Sequence, residues 1–460
     1  MIKQVLVIVV LWSSSGLPFW AQPAARTSGG INDGQASQEG HATDSDSLAA
    51  QVVSDTDGVS IEELVNLMLS QNKQLEAART QLRQAEARLT QARLRLNPSL
   101  DVEHGSDVFF ANEGERAYNV ALSHAFELGG KRAKRIHVAN AYSEVIKAQI
   151  ADAERQFATR VRLLFGEAIG AAAQLDQLEQ VAKLNQEMVR IMKVRLDSGD
   201  AARLDRHLLL ATTNQLEVQW LQVQSQLAGL LLDIKTLIGL PPEDRLVLRR
   251  AVPPPEIGIA QEAAVAMAFE SRQDLRAARL REALAESEIE LAKVQAVPNI
   301  TASARYTPER NIIEGLFNPA DRIVDSSKLF SFGISIPLPL FNRQQGNIAE
   351  AVSLRTRAHS ERLALEQAVR RDVLLAYQRW ETARRSLEVY ERTVLPESRQ
   401  SFQIVQLSYR LGESRLLDVI SQQRLFLEAQ SNIITGQKTY YAAFVELESA
   451  IGRPVSAPTH

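Results

Sequence analysis

The chain contains no cysteine among its 460 residues. This absence excludes structural disulfides, thiolate metal sites, a cysteine nucleophile and the lipid-bearing N-terminal cysteine of bacterial lipoproteins. The seven histidines include no pair at the i, i+4 spacing that places two ring nitrogens on one helix face, so we expect no metal site. The net charge of −3 gives no basic excess for neutralising phosphates, which argues against a nucleic-acid partner.

The sequence also lacks the motifs of catalysis. It has no Gly-rich phosphate loop, no nucleophile motif and no cluster of carboxylates outside ordinary helix faces. We therefore expect a protein that is not an enzyme and that binds no cofactor.

Residues 1–25 have the pattern of a secretory signal peptide, because Lys3 precedes the apolar run 5–12 and small residues follow it. As a helix this run reaches only about 12 Å, too short for the ~30 Å hydrocarbon core, which argues against the alternative of a membrane anchor. No later stretch of the sequence has eighteen uncharged apolar residues. A mature form that crosses a membrane would therefore have to cross it with strands.

The composition changes several times along the rest of the chain. Residues 26–58 consist mainly of Gly, Ser, Asp, Gln and Ala, which predicts a disordered N-terminal arm because too little apolar surface is available for burial. Two similar copies follow at 59–249 and 257–454, joined by a proline-rich linker at 250–256. A short tail at 455–460 ends the sequence.

An internal repeat defines the two copies. The matching residues are Gln74 to Arg79 with Asp274 to Arg279, Pro98 with Pro298, Ser123 with Ser335, Leu128 with Leu340, Gly199 with Gly412, and Asp205 with Asp418. The spacing is 200 positions at first, then 212, then 213. A spacing that changes mainly once indicates a duplication with one insertion.

Each copy contains a very long helical segment. The stretch from Lys131 to Ser198 has no proline and predicts a helix of about 100 Å at 1.5 Å per residue. Its apolar stripe repeats about every 3.7 residues, which predicts a nearly straight helix with neighbours on both sides, as in the wall of a tube. The matching stretch in the second copy contains Pro396, where we expect a kink. Gly199 and Gly412 follow the two long helices and predict chain reversals.

Two pairs of segments have strand periodicity instead. One face is apolar and the other is small or polar, the pattern of tilted strands in an outer-membrane barrel, and we predict that the apolar face meets lipid. The predicted lipid-facing residues are Tyr118, Val120, Leu122, Phe126, Phe330, Phe332, Ile334 and Ile336. A half-buried sheet on a soluble core is the alternative that gives the same alternation. Pro308 and Pro319 predict a longer external loop in the second copy.

Four strands cannot close a barrel, since about eight are needed to fill even a small one. We therefore expect several copies to assemble, and the strand pattern leaves two and three copies open. The predicted fold class is mainly α with a membrane β-barrel contribution. It combines a tandem-repeat long α-helical barrel with four barrel strands per chain, which the assembly completes.

The order of helix, strand pair, long helix, turn and helix, given twice, resembles the TolC-type outer-membrane efflux proteins. The segments that carry this resemblance most clearly are Ala121 to Arg132 and Ile334 to Gly346. The stretches rich in Gly-Lys-Arg and Pro-Leu-Phe-Asn-Arg are most similar to the cobalt-zinc-cadmium cation efflux branch of that family. The resemblance implies a homotrimer in the bacterial outer membrane, with a twelve-stranded barrel in the lipid and a long periplasmic tunnel. It also implies two partners: a periplasmic adaptor, or membrane fusion protein, and an inner-membrane pump of the resistance-nodulation-division type.

The segments after the two long helices resemble the periplasmic end of the family's tunnel, where acidic side chains surround a closed aperture. Asp418 falls on an aperture aspartate and Asp205 is its counterpart in the first copy, while Gly199 and Gly412 fall on the tip turns. A second family acid would fall at Ser421, where this chain departs from the pattern. The alternative for both aspartates is a helix-start role worth about 0.3 to 1 kcal/mol.

Together with the strand pattern, this resemblance implies a passive duct that carries heavy-metal cations from the pump to the exterior. Two alternatives stay open at this point. One is the same kind of channel serving drugs or type I secretion, and the other is a non-porous periplasmic coiled-coil adaptor.

Overall fold

The computed structural model describes residues 51–54, 56–106, 114–198, 202–250, 257–314 and 322–455. The predicted signal peptide, most of the predicted arm and linker, the last five residues, Gly199 and Pro319 lie outside these ranges. Within the described ranges, no helix combines the length and apolar character needed to cross a membrane.

The chain repeats one order of elements. The first set is β1 (Val53–Ser54), α1 (Ile61–Gln71), α2 (Lys73–Arg93), β2 (Ser99–Ser106), β3 (Arg116–Phe126), α3 (Lys131–Asp197), α4 (Arg203–Ile238) and β4 (Leu248–Arg249). The second set is α5 (Gln261–Ser271), α6 (Gln273–Gln295), β5 (Ile300–Glu314), β6 (Arg322–Ser335), α7 (Gln345–Val389), a π-helical turn (Tyr390–Val394), α8 (Leu395–Arg410) and α9 (Leu416–Ile451). Helices α1 and α5 begin 200 positions apart, as do α2 and α6, while α4 and α9 match over 36 residues each.

The long helix of the first repeat is continuous and that of the second is interrupted. Helix α3 has 67 residues, in agreement with the proline-free stretch of the sequence. In the second repeat a π-helical turn at Tyr390–Val394 separates α7 from α8, whose second residue is Pro396. Proline has no N–H to complete the α-helical ladder, and π turns are a common way to absorb such a break. The predicted irregularity is therefore present as a π turn.

The core lies along the seams between helices. Helix α3 contacts α2, α4, α6 and α9, and α6 in turn contacts α7. One apolar cluster joins α1, α3 and α4 and includes the fully buried Leu64, Phe165 and Ile234. A second joins α5, α7 and α9 around Val369 and Leu447. Each repeat thus has its own apolar cluster, and α3 connects the repeats.

Part of the predicted arm is ordered. Val53 and Ser54 pair in parallel with Leu248 and Arg249, and the Val53 side chain is buried. The expectation of disorder up to residue 58 is therefore wrong for these residues, because pairing with β4 satisfies their backbone groups.

The four longer strands form one antiparallel sheet in the order β2-β3-β5-β6. Two details differ from the sequence expectations. Pro308 lies inside β5, opposite Lys328 of β6, and not in a loop. The pairing of β3 with β5 skips the positions around it, since proline offers no N–H to the ladder. Strand β6 ends at Ser335, so Ile336 lies just beyond it.

Candidate functional site

The sheet presents its apolar side chains to the outside of the chain. Phe332 and Ile334 are 80% and 74% exposed, and the other predicted lipid-facing residues are also exposed. The aromatic rings contact each other across and along the strands, as Tyr306 does with Phe330 and Phe330 with Phe332. Water would hydrate this much apolar surface at a large free-energy cost, so the face requires an apolar environment.

The opposite face of the sheet is small and polar. Ala121 is only 6% exposed there, and the hydroxyl oxygens of Ser99 and Ser123 lie 2.7 Å apart. The Asn119 amide donates a hydrogen bond of 3.0 Å to the Glu103 carboxylate on the neighbouring strand. Apolar and polar faces on one sheet are the arrangement of a strand between lipid and an aqueous lumen.

Both edges of this sheet are open. Within the described residues, β2 pairs only with β3, and β6 pairs only with β5. The outer edges of β2 and β6 therefore lie beside no other strand of the described part of the chain. Open edges of this kind are templates for pairing with another chain.

At the far end of α3, an apolar cluster fixes the two chain reversals. Leu209 of α4 and Leu416 of α9 are buried against Met192 of α3. This contact positions the first turns of α4 and α9, which carry Asp205 and Asp418. The two predicted aperture aspartates therefore belong to helix starts that pack on the same segment of α3.

The reversal in the second repeat is built from backbone hydrogen bonds. Gly412 adopts a left-handed conformation with φ of 83°, and its N–H donates to the Tyr409 carbonyl. The Glu413 N–H donates to the Ser408 carbonyl over 2.8 Å, which completes the helix end. The predicted turn at Gly412 is confirmed, and its counterpart Gly199 lies outside the described residues.

The Asp418 side chain is exposed to solvent and also accepts a hydrogen bond from a neighbouring residue. Its carboxylate accepts a hydrogen bond of 3.1 Å from the Arg415 backbone N–H, so it caps the start of α9. Ser421 lies one turn later on the same exposed face. Asp205 is half-buried in the first turn of α4. The capping role of Asp418 is compatible with an aperture role, since one carboxylate oxygen suffices for the cap.

A cavity lined by several glutamine and asparagine side chains was not predicted from the sequence. It has a volume of about 530 Å³ and lies between α3, α4 and α9. Asn185 and Gln423, both buried, meet at its wall through a hydrogen bond of 2.7 Å. Gln177 donates to the Leu427 carbonyl nearby. Glutamine-rich helix faces look solvent-exposed in a sequence, and only the packing of three helices shows that these amides are enclosed.

Comparison with known proteins supports the same interpretation. Residues 264–453 match the family model described as outer membrane efflux protein. The cobalt-zinc-cadmium resistance protein CzcC of Cupriavidus metallidurans is 24% identical over 398 residues, which is 86% of this chain and 90% of that protein. The pyoverdine export outer membrane protein OpmQ of Pseudomonas putida is 26% identical over 435 residues, 85% of each chain.

A solved structure shows the same fold. The outer-membrane channel OprN superimposes with a TM-score of 0.70 at 18% identity, covering 90% of this chain and 96% of that one. The superposition extends over both repeats, so the chain and that channel share one fold. The second repeat therefore matches the outer membrane efflux protein family, and the chain as a whole has the repeated helix-and-strand fold of a solved outer-membrane channel.

Proposed function

We propose that this protein is the outer-membrane duct of a tripartite efflux system. It works passively, with a periplasmic adaptor and an inner-membrane pump of the resistance-nodulation-division type. The observation that carries the proposal is the sheet, whose exposed apolar face needs lipid and whose polar face suits an aqueous lumen. A non-porous adaptor has no use for such a sheet, so this alternative is disfavoured.

The duct is a homotrimer in this proposal. Each chain contributes four strands with two open edges, and three copies give twelve strands, enough to close a barrel around water. The long helices of three chains form the periplasmic tunnel below it. Light scattering or native mass spectrometry of the detergent-purified protein tests this stoichiometry, and a monomer would contradict it.

The aperture lies at the tip formed by the starts of α4 and α9. Asp418 is exposed beside Ser421, so three copies would place a ring of three carboxylates around the axis. Such a ring attracts cations and binds multivalent ones most strongly. We expect current through planar bilayers in the unmodified protein, and weaker block by trivalent cations in Asp418→Ala. Restoring two acids per subunit with Ser421→Asp should strengthen that block.

The absence of conductance in both the unmodified protein and the variant would contradict the duct. Conductance with unchanged cation block would leave the duct in place and remove Asp418 from the aperture. Asp205→Ala serves as the matched control in the first repeat. Because Asp205 is half-buried, we expect it to change the block less than Asp418→Ala does.

Heavy-metal cations are the proposed cargo. The support is the similarity to a cobalt-zinc-cadmium resistance protein over most of both chains. A siderophore or another organic solute is the second candidate, since a pyoverdine export protein is about equally similar. A deletion strain should become sensitive to zinc, cobalt or cadmium and recover with the intact gene. Unchanged metal tolerance with new sensitivity to organic compounds would favour the second candidate.

A further inference from the structure

The apolar face of the sheet becomes basic at one end. Helices α2, α3, α6 and α7 join the strands at the end that holds Ser99 and Phe126, so both hairpin connections lie at the opposite, outer end. Strand β3 begins at that outer end with Arg116. Side chains two positions apart share a face, so Arg116 lies on the same face as Tyr118 and Val120. We call this apolar face the outward face and the polar one the inward face.

Three cations are neighbours at the outer end of the outward face. Arg116 of β3 lies directly opposite Arg310 of β5, and Arg310 lies directly opposite Ser326 of β6. Lys328 is two positions along β6 from Ser326, which makes it a diagonal neighbour of Arg310 with Cβ atoms about 7 to 8 Å apart. All three cationic side chains are exposed. Arg116, Arg310 and Lys328 therefore form one group, the outer basic group.

The outer basic group has no counter-charge within the described part of the chain. None of its three side chains makes an ion pair or a side-chain hydrogen bond with another described residue. Like charges directly opposite each other on neighbouring strands are destabilising, as Arg116 and Arg310 are here. Such a pair indicates that an anion from outside the chain belongs beside it.

The two faces of the sheet differ in the sign of their charge. The described strand residues of the inward face carry carboxylates and the single cation Arg305. These carboxylates are Asp101, Glu103, Glu309 and Asp325. On the outward face, the strand side chains that the structure describes include the outer basic group and no carboxylate. An even mixture of charges along the strands would not produce this separation.

The cations at the inner end of the sheet all have partners within the chain. They are Lys131, Arg132, Lys134 and Arg135 in the first turns of α3. Lys131 donates to the Asn299 side-chain oxygen over 2.6 Å, and Arg135 donates to the Glu127 carboxylate over 3.0 Å. The inner cations thus hold the helices against the sheet, whereas the outer basic group makes no such contact.

The position of the outer basic group matches the depth of lipid headgroups. Strand β3, with 11 residues from Arg116 to Phe126, is about 33 Å long, which corresponds to about 25 Å of depth at a tilt of ~40°. The apolar band of a membrane barrel is about 25 Å tall, so Arg116 lies at its outer border. A ligand that contacts both the exposed ring of Phe330 and the outer basic group has acyl chains next to its anion.

Resting on the outer-membrane duct proposed above, we propose that Arg116, Arg310 and Lys328 bind the phosphate groups of a lipid in the outer leaflet. The planar guanidinium of arginine donates two parallel hydrogen bonds to a phosphate, and lysine adds a further positive charge. Two arginines that repel each other in the free chain are bridged by one such phosphate. The duct is thereby fixed at a defined depth by its lipid as well as by its apolar strands.

Lipid binding by the detergent-purified full chain tests this site. Diphosphoryl lipid A, the phosphorylated glycolipid core of the outer leaflet, is titrated into the protein, and bound lipid is counted by native mass spectrometry. The triple variant Arg116→Gln, Arg310→Gln and Lys328→Gln should bind it at least about tenfold more weakly, because charge-assisted hydrogen bonds are lost. The single variant Arg310→Gln should show a smaller loss, and it tests the site even if the triple variant does not fold.

Arg305→Gln is the matched control, since it removes an arginine from the inward face of the same strand as Arg310. It should leave lipid A binding unchanged. Inorganic phosphate is the second probe, and it should bind far more weakly than lipid A at equal concentration.

Unchanged lipid A affinity in Arg310→Gln and in the triple variant would overturn the proposal. An equal loss in Arg305→Gln would overturn it too, because the effect would then follow net charge and not position. Equal affinity for inorganic phosphate would show a site for free anions instead of a lipid. Conductance in planar bilayers separates this site from the duct, since variants that conduct normally and bind lipid A normally would overturn the lipid site alone. No conductance in the unmodified protein would overturn the duct.

Discussion

The two repeats use different side chains to satisfy the backbone groups at the break between their first two helices. In each repeat a short helix breaks and a second helix starts one residue later, next to the end of the last helix of that repeat. In the first repeat one neutral residue, Asn72, satisfies both a backbone N–H and a backbone carbonyl at this site. Its side-chain oxygen accepts from the Leu75 N–H at 2.8 Å, and its amide donates to the Leu237 carbonyl at 2.8 Å.

In the second repeat two charged residues share this task. Arg272 occupies the place of Asn72 and donates to the Ala450 carbonyl, the equivalent of Leu237. The cap of the Leu275 N–H is provided by the Asp274 carboxylate at 2.8 Å. Arg272 and Asp274 also bond to each other, with the shorter contact at 2.6 Å, and Asp372 lies 3.6 Å from the guanidinium.

The comparison separates the backbone requirement from the chemistry that meets it. Both sites must satisfy one N–H at a helix start and one carbonyl at a helix end, because buried backbone groups without partners are costly. A neutral amide meets both needs without any charge. The ion pair meets them at the cost of burying charges, and it makes the second repeat depend on both partners being present.

Removing the guanidinium should have the largest effect. Arg272→Met leaves Asp274 and Asp372 without their buried partner and leaves the Ala450 carbonyl unpaired. We expect a loss of about 3 to 5 kcal/mol in stability, measured by thermal or denaturant unfolding in detergent. The matched change Asn72→Ala removes a cap and one buried hydrogen bond, and should cost only about 1 to 2 kcal/mol.

The double variant Arg272→Asn with Asp274→Gln transfers the first repeat's residues into the second. If the two backbones are equivalent, this pair should be clearly more stable than Arg272→Met. Equal stability of the double variant and Arg272→Met would show that the sites are not interchangeable. A larger loss for Asn72→Ala than for Arg272→Met would contradict the comparison.

The contact between α3 of the first repeat and α9 of the second is the next place where a substitution should lower stability. Gly166 of α3 faces Tyr441 of α9, and an added Cβ would collide with the tyrosine ring. Burial raises the pKa of Tyr441 to about 12, which shows how closely this ring is enclosed. We expect Gly166→Ala to cost about 1 to 3 kcal/mol through overpacking.

Gly229→Ala in α4 is the control for this effect. No atom lies within 4 Å of the added Cβ there, so the change should stabilise the helix by about 0.5 to 1 kcal/mol. Both variants are compared by unfolding under one set of conditions. A melting temperature of Gly166→Ala at or above that of the unmodified protein would show that the α3–α9 seam can open without cost.

Features that depend on local periodicity were predictable from the sequence. The absence of proline predicts α3 almost to the residue, and Gly412 predicts the reversal that its left-handed conformation confirms. The alternating pattern also predicts which strand residues share the apolar face. Which residues of neighbouring strands lie opposite each other was not predictable, because a period-two pattern looks the same after a shift of two residues.

Contacts between distant parts of the chain carry no signal in one sequence. Arg272 reaches the Ala450 carbonyl across 178 positions, and an arginine between two polar residues looks like any exposed helix residue. The pairing of β1 with β4 is equally remote, which is why the end of the arm appeared disordered. The buried amides Asn185 and Gln423 belong to the same class, since only packing encloses them.

The smallest expected effect concerns pH, and it distinguishes the two repeats directly. Burial raises the pKa of Asp274, but the hydrogen bond and charge of Arg272 outweigh it, and the net pKa is lowered. A carboxyl whose pKa is lower in the folded state adds stability above its unfolded pKa of about 3.9, and this contribution disappears as the pH falls through the folded value. The melting temperature of the unmodified protein should therefore exceed that of Asp274→Asn most at pH 6 to 7, and the difference should shrink below about pH 4.

Asn72→Ala is the control. The difference in melting temperature between the unmodified protein and Asn72→Ala should stay constant over the same pH range, because no group at that site titrates. A constant difference for Asp274→Asn would mean that Asp274 acts only as a neutral cap, and the two repeats would then differ in residues but not in electrostatics.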